Sequence, residues 1–200
     1  MLKIGITGGI GSGKTTICRL FETLRVPIYY SDDAAKWLLQ HNSEVRAQVS
    51  NLFGSTAYLP DGTLDRQALA SVAFQNPEKM SLLESIVHPA VWQHSQQWLS
   101  QQAPNTPYII KESALLFESG AYTQLDKIIT VTAPIDLRIA RVMQRDQKSE
   151  ADIRQRIARQ MPDEDKINRS DFVIYNDGTQ ALIPQVLHIH QTLIEYAQQA

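Results

Sequence analysis

Apolar positions along the 200-residue chain alternate between two spacings. Residues 1–7, MLKIGIT, form a short apolar run that stops at glycines, the pattern of a buried strand ending at Thr7. From Thr15 to Leu24 the apolar residues Ile17, Leu20, Phe21 and Leu24 recur at helical steps. VPIYY (26–30) reads as a second strand, with Pro27 near its start, where a missing N–H is tolerable. A helix is predicted from about Asp32 through Leu39. Between Asn42 and Gln102 the pattern is mostly helical, with a turn at DGT (61–63), no convincing strand, and a helix start at Asn76 and Pro77.

YIIKESALLF (108–117) begins as a third strand, and DKIITVTAP (126–134) is a fourth. Helical patterns follow over 135–146 and from about Ser149 to Gln160. DFVIYND (171–177) is the fifth strand, closed by Asn176-Asp177-Gly178, and a last helix is predicted from Thr179 to Ala197. Strands alternating with helices imply a mostly parallel α/β sheet of five strands with helices on both faces. The long helical stretch between the second and third strands is an inserted region, not a second complete domain. The length suits one domain with insertions.

Composition changes this picture little. Hydrophobic residues make up 43% and charged residues 20%, with a formal net charge of −2. No bulk field favours nucleic acid or an anionic membrane, so recognition of phosphate must be local. No window reaches the ~18 apolar residues of a membrane span, and no secretory leader is visible. The single cysteine, Cys18, excludes an internal disulfide and sits among apolar helix positions as a buried filler. A cytoplasmic protein is expected. A monomer is expected because no exposed apolar stripe stands out.

The chemistry starts at GGIGSGKT (8–15), which matches G-x-x-x-x-G-K-[ST] between a predicted strand and a predicted helix. Glycines let the backbone turn its N–H groups inward, and the helix start adds its positive end. Gly11, Ser12, Gly13, Lys14, Thr15 and Thr16 are the candidate phosphate-binding residues. In this motif the lysine reaches the β- and γ-phosphates and the Thr15 hydroxyl is the candidate Mg²⁺ ligand. No N-K-x-D sequence reads guanine, which favours ATP over GTP. Residues 138–169 carry nine of the nineteen basic residues. They read either as a solvated helix laced with ion pairs or as an arginine-rich lid that closes over a transferring phosphoryl group. The adjacent carboxylates Asp32 and Asp33 read either as first-turn helix residues behind a Ser31 cap or as a site for proton transfer.

Several segments together resemble the dephospho-coenzyme A kinase family over essentially the whole chain. They are GITGGIGSGKTT, YYSDDAAKWLL, IVHPAV, ALLFESG, RVMQRD, RIARQM and DFVIYNDG. The resemblance implies ATP plus dephospho-coenzyme A giving ADP plus coenzyme A, with the ribose 3′-hydroxyl as acceptor. It implies a P-loop NTPase-type core (1–31, 107–134 and 170–200), a helical acceptor-binding region (32–106) and a helical lid (135–169). Ser31 and Asp32 stand where the family has Asp and Ala, so only Asp33 matches a family carboxylate in register. Ala114 replaces a usual Pro, Glu112 a common Asp, and Arg138 a usual Gln. The resemblance implies Asp33 as general base, with Lys14 and Arg141 acting on ATP. Asn176 either contacts the adenine or only closes a turn. Glu112 is read as a holder of a Mg²⁺-bound water or of a P-loop hydroxyl, or as structural; His88 as an acceptor contact or, more often for a lone histidine, as structural; and Arg145 as a less definite lid residue. Two other readings of the residues stay open: a P-loop kinase for a smaller acceptor, and a non-catalytic nucleotide-binding module.

Overall fold

The computed structural model describes residues 1–54, 57–65, 68–69 and 76–199. These divide into two compact units, Met1–Tyr30 with Gln102–Ala200, and Ser31–Gln101. The expected helical reading of 70–75 falls outside the described residues.

The first unit is built on a five-stranded, all-parallel sheet. Its strands are β1 (Leu2–Thr7), β2 (Ile28–Tyr30), β3 (Tyr108–Glu112), β4 (Lys127–Thr132) and β5 (Phe172–Tyr175), in the order β2-β3-β1-β4-β5. Every expected strand is present. The central strands are apolar on both faces because helices and loops cover both. On one side, α1 (Lys14–Thr23) and α8 (Leu182–Gln199) seal a core of Ile4, Ile6, Ile110, Ile129 and Val131 with Ile17, Phe21, Val186 and Leu193. Cys18 lies in this core, fully buried as expected. On the other, Leu116, Phe117 and Ile128 pack with Leu125 and Met161.

Parallel register sets the site. Ile6 pairs with Glu112, Tyr30 with Glu112, and Thr132 with Tyr175. The carboxyl ends of all five strands therefore reach one edge, the usual ligand edge of such sheets. After β4 come α5 (Ile135–Asp146), α6 (Glu150–Ile157) and α7 (Asp163–Asn168). Ile139, Val142 and Ile153 join Ile10 and Ile157 in a separate small core. The Ser149 hydroxyl caps α6 by accepting from the Asp152 N–H at 3.2 Å.

Two features differ from the sequence pattern. MPDEDK (161–166), which carries no helical period, leads into α7. Pro162 just before it and three acidic residues in its first turn make a short helix with no apolar period to reveal it. The last helix starts at Leu182, not Thr179. The Asp177 carboxylate accepts bonds from both the N–H and the hydroxyl of Thr179 at 2.8 Å, holding that residue in a turn. As expected, 108–117 begins as a strand: β3 stops at Glu112, and turns carry the chain from there through Phe117.

The second unit is helical: α2 (Ser31–His41), α3 (Ser43–Phe53) and α4 (Pro77–Ser100). Asn42 caps α3 through a 3.0 Å bond from the Val45 N–H, and Asn76 caps α4 from Glu78 and Lys79. Val45, Val49, Ala57, Leu64 and Leu69 form its core. The expected turn at 61–63 sits between Tyr58 and Leu64, which pair as an isolated antiparallel bridge. Ser31 is the first helical residue, one position later than a cap, so the expected Ser31 cap is replaced by a serine in the first turn.

Candidate active site

The loop between β1 and α1 holds the phosphate-binding candidates. Its turns require glycine at two places. Gly11 has φ +78°, and a Cβ there would meet the Arg138 carbonyl. Gly13 has φ +95°, and a Cβ there would meet the Asn176 side-chain amide. Gly13 ends the loop, and its carbonyl accepts from the N–H groups of Thr16 and Ile17. Thr15 and Thr16 stand exposed on the first turn of α1. The Lys14 ammonium donates to the Gly8 carbonyl at 2.9 Å and lies 3.9 Å from the Glu112 carboxylate. Glu112 is thus the counter-charge of the P-loop lysine at the end of β3. Ser12 Oγ and Thr7 Oγ1 are buried, and neither has a hydrogen-bond partner among the described residues.

Arg141 and Asn176 meet this loop directly. The Arg141 guanidinium donates to the Asn176 carbonyl at 3.0 Å, to its Oδ1 at 3.3 Å and to the Gly11 carbonyl at 3.5 Å. The Asn176 amide donates to the Ser12 carbonyl at 2.8 Å. Gly11, Ser12, Arg141 and Asn176, scattered over 166 positions of sequence, therefore form one network. Asn176 thus joins the last strand's loop to the glycine-rich loop, a contact that neither sequence reading of this residue foresaw.

Three further residues hold the loop's tip. Arg138 is 4% exposed. Its Nε donates to the Ile10 carbonyl at 2.9 Å and its NH1 to Asp163 at 2.7 Å. The Gln160 side-chain carbonyl accepts from the Ile10 N–H at 2.8 Å. Both polar groups of the Ile10 peptide are thus fastened by residues of 135–169. Sequence reasoning counted Arg138 among the basic cluster and passed over Gln160 and Asp163. The only cue in the sequence was Arg138 lying three residues before Arg141, on the same helix face.

The other basic residues of that segment divide cleanly. Arg145 pairs with Asp146 at 2.6 Å, Arg154 with Glu150 at 2.7 Å, and Arg156 with Asp146 at 3.7 Å. The hydrogen bond from Arg145 holds the Asp146 carboxyl below the usual carboxylate range. These are the ion pairs of a solvated helix surface. Lys166 is instead fully buried, with its ammonium 3.2 Å from Glu118. Glu118 also accepts from the Met161 N–H at 2.8 Å. Arg169 lies over the Phe117 and Tyr122 rings, each at 5.5 Å. A cavity of about 620 Å³ opens in the same unit, with Pro134, Ile135, Met161, Tyr175 and Asp177 among its walls.

Asp33 stands in the first turn of α2, in the other unit. Its side chain is 71% exposed and accepts from the Lys36 ammonium at 2.6 Å. Asp32 beside it is exposed, as is His88 on α4.

The fold and this loop chemistry have close counterparts. The sequence family described as "Dephospho-CoA kinase" matches residues 2–181. A Bacteroides fragilis protein named "Dephospho-CoA kinase" is 41% identical over 188 residues, covering 94% of this chain and 91% of its own. A Chlorobaculum tepidum protein of the same name is 37% identical over 199 residues, covering 96% and 95%. Among solved structures, a Thermus thermophilus protein superposes with a TM-score of 0.85 at 33% identity, covering 96% of each chain. The dephospho-CoA kinase from Campylobacter jejuni does so with a TM-score of 0.70 at 26% identity, covering 97% and 98%.

Proposed function

The chain belongs to the dephospho-CoA kinase family, which phosphorylates dephospho-CoA with ATP in the last step of coenzyme A biosynthesis, and on that premise we propose how its residues divide the work. The acceptor atom is the ribose 3′-hydroxyl, which attacks the γ-phosphorus in line as the bond to ADP breaks. The observation that carries the nucleotide half is the P-loop itself: a glycine cradle with the Lys14 ammonium already on its rim, 2.9 Å from the Gly8 carbonyl.

Lys14 exchanges that carbonyl for the β- and γ-phosphate oxygens and leaves Glu112 as its remaining counter-charge. The buried Ser12 hydroxyl, unpartnered among the described residues, turns toward a phosphate oxygen. Arg141 and Asn176 hold the far rim of the cradle, and Arg141 gives positive charge to the nucleotide. Among the described residues no three His, Cys, Asp or Glu side chains converge on a metal. The exposed Thr15 hydroxyl beside the phosphate cradle would be the protein's ligand for Mg²⁺, which would supply neutralising charge to the phosphates when bound.

Asp33 accepts the proton of the attacking hydroxyl. Its support is the family position after the second strand and an exposed carboxylate. Lys36 pairs with that carboxylate and leaves it accessible. Turnover with and without Asp33 tests this role. Asp33→Asn is expected to bind ATP with unchanged affinity and to lose between about 10²- and 10⁴-fold in kcat. Near-normal kcat would remove Asp33 from the catalytic set. Residues 135–169 act as the cover that excludes water. That segment is tied to the glycine-rich loop through Arg138, Arg141 and Gln160. Among the described residues no helix is long and apolar enough to cross a membrane. A cytoplasmic monomer is the proposed working form, and sedimentation of the purified protein measures its mass.

A further inference from the structure

The helical unit has two half-exposed tryptophans, Trp37 on α2 and Trp92 on α4, and Trp37 is the one that borders a cleft. It is 52% exposed, although tryptophan is among the side chains with most apolar surface to hide. Two imidazoles flank it: the ring centroids of His41 and His94 lie 5.4 and 5.7 Å from its own, at tilts of 40° and 32°. Beside it is a cavity of about 510 Å³ whose walls include Asn42, Gln48, Gln93 and Gln97. A half-bare indole bordered by rings, next to a cleft lined with amides, is chemically suited to a flat heterocycle with hydrogen-bonding edges.

Its place on α2 says which heterocycle. Trp37 follows Asp33 by four residues, so the two share a helix face at a separation of about one turn, roughly 5–6 Å along the axis. In the acceptor, the base and the reacting hydroxyl are carried by the same five-membered sugar ring. A surface about one helical turn from the carboxylate that receives that hydroxyl's proton is therefore within reach of the base. On this face of α2 that surface is Trp37. We propose that Trp37 is the stacking platform for the acceptor's purine base, with the amides of Gln93 and Gln97 facing the base edges. The inference rests on the reading of Asp33 as the group that meets the acceptor hydroxyl.

The side chain is exposed, so Trp37→Ala leaves the core of the unit intact. Base–aromatic stacking contributes about 1–3 kcal/mol per base, equivalent to roughly 5- to 150-fold in affinity. With ATP and dephospho-CoA, Trp37→Ala is expected to raise the acceptor KM within that range. The ATP KM and the melting temperature stay as in the wild type, and Trp37→Phe keeps most of the acceptor affinity. Intrinsic fluorescence gives a second readout. Dephospho-CoA added without ATP quenches the wild type, ADP does not, and the quench is lost in Trp37→Phe. An acceptor KM within twofold of wild type in Trp37→Ala, or an undiminished quench in Trp37→Phe, overturns the proposal. Asp33→Asn run alongside separates the two ideas. Normal kcat there removes the base assignment only, whereas the KM and the quench decide Trp37. Should the wild type fail to turn over dephospho-CoA, calorimetry of dephospho-CoA with wild type and Trp37→Ala decides. Weaker binding by the variant supports the platform, and equal or absent binding overturns it.

Discussion

Arg138 is the side chain whose removal has the most to say about how the P-loop is held. It is 4% exposed, and its two bonds join the Ile10 carbonyl at 2.9 Å to the Asp163 carboxylate at 2.7 Å. Arg138→Met keeps much of the apolar stem and deletes the guanidinium. Breaking a buried pair by removing one partner costs about 3–5 kcal/mol, because the other charge is left unpaired. Here the lower end applies. The Asp163 side chain is 24% exposed and still accepts from the Thr132 hydroxyl at 3.1 Å, so water and one neutral bond partly replace the loss. A cost of about 3 kcal/mol corresponds to roughly 6–12 °C in melting temperature for a chain of this size. Thermal unfolding of the wild type, Arg138→Met, Asp163→Asn and the double variant measures both the cost and the pairwise part. The coupling between the two sites is expected to be about 1–3 kcal/mol. Because Ile10 loses one of its two fasteners, the ATP KM should rise while Gln160 still holds the N–H. A melting temperature within 2 °C of wild type, or additivity within about 0.5 kcal/mol, would refute the reasoning.

Two further outcomes follow from buried titratable groups. Burial raises the Cys18 thiol far above its ordinary value, with the Glu112 charge adding to it. The native protein should therefore resist thiol-specific chromogenic reagents at pH 8 and release one equivalent in urea, and rapid labelling of the folded protein would contradict this. The Tyr108 hydroxyl lies 2.6 Å from His190 Nδ1, and burial lowers the His190 pKa. The folded state then keeps this ring neutral where the unfolded state, near the usual value of about 6.5, already binds a proton. The contribution of His190 is fully present above about pH 6.5 and is lost as pH falls toward the folded value. Urea midpoints measured from pH 8 to 5 should show this fall in the wild type and a shallower one in His190→Gln; parallel curves would exclude His190 as its source.

What could be read from the sequence and what could not divide along a physical line. The strands of the sheet were legible because each is a local run whose neighbours in space are supplied by the same alternation of strand and helix. GGIGSGKT was legible because the loop's function is carried by consecutive backbone N–H groups, which need consecutive residues. The fastening of that loop was not legible. Ile10 meets Gln160 and Arg138 across 150 and 128 positions, and neither side chain has any local pattern that points to a peptide group so far away. The same holds for the nine basic residues of 138–169, which look alike in sequence. Burial separates them: Arg138, Arg141 and Lys166 turn inward to the loop or to Glu118, while Arg145, Arg154 and Arg156 remain surface partners of nearby acids.

That separation changes what a lid can mean here. A cover hinged freely at both ends would move independently of the nucleotide loop. In this chain the residues that border α6 are the ones bonded to the loop: Arg141 to Gly11 on one side, and Gln160 to Ile10 on the other. Any displacement of α6 large enough to move Gln160 must break the Ile10 N–H bond or carry the loop tip with it. The first costs about 1 kcal/mol, small against the charge-assisted bonds that phosphates make with the same loop. On the proposed reading of residues 135–169 as a cover, its movement and the ordering of the cradle would be coupled through the backbone of one residue, Ile10. Arg138, bonded to the carbonyl of that residue and to Asp163, ties the tip to α5 and α7 independently of α6.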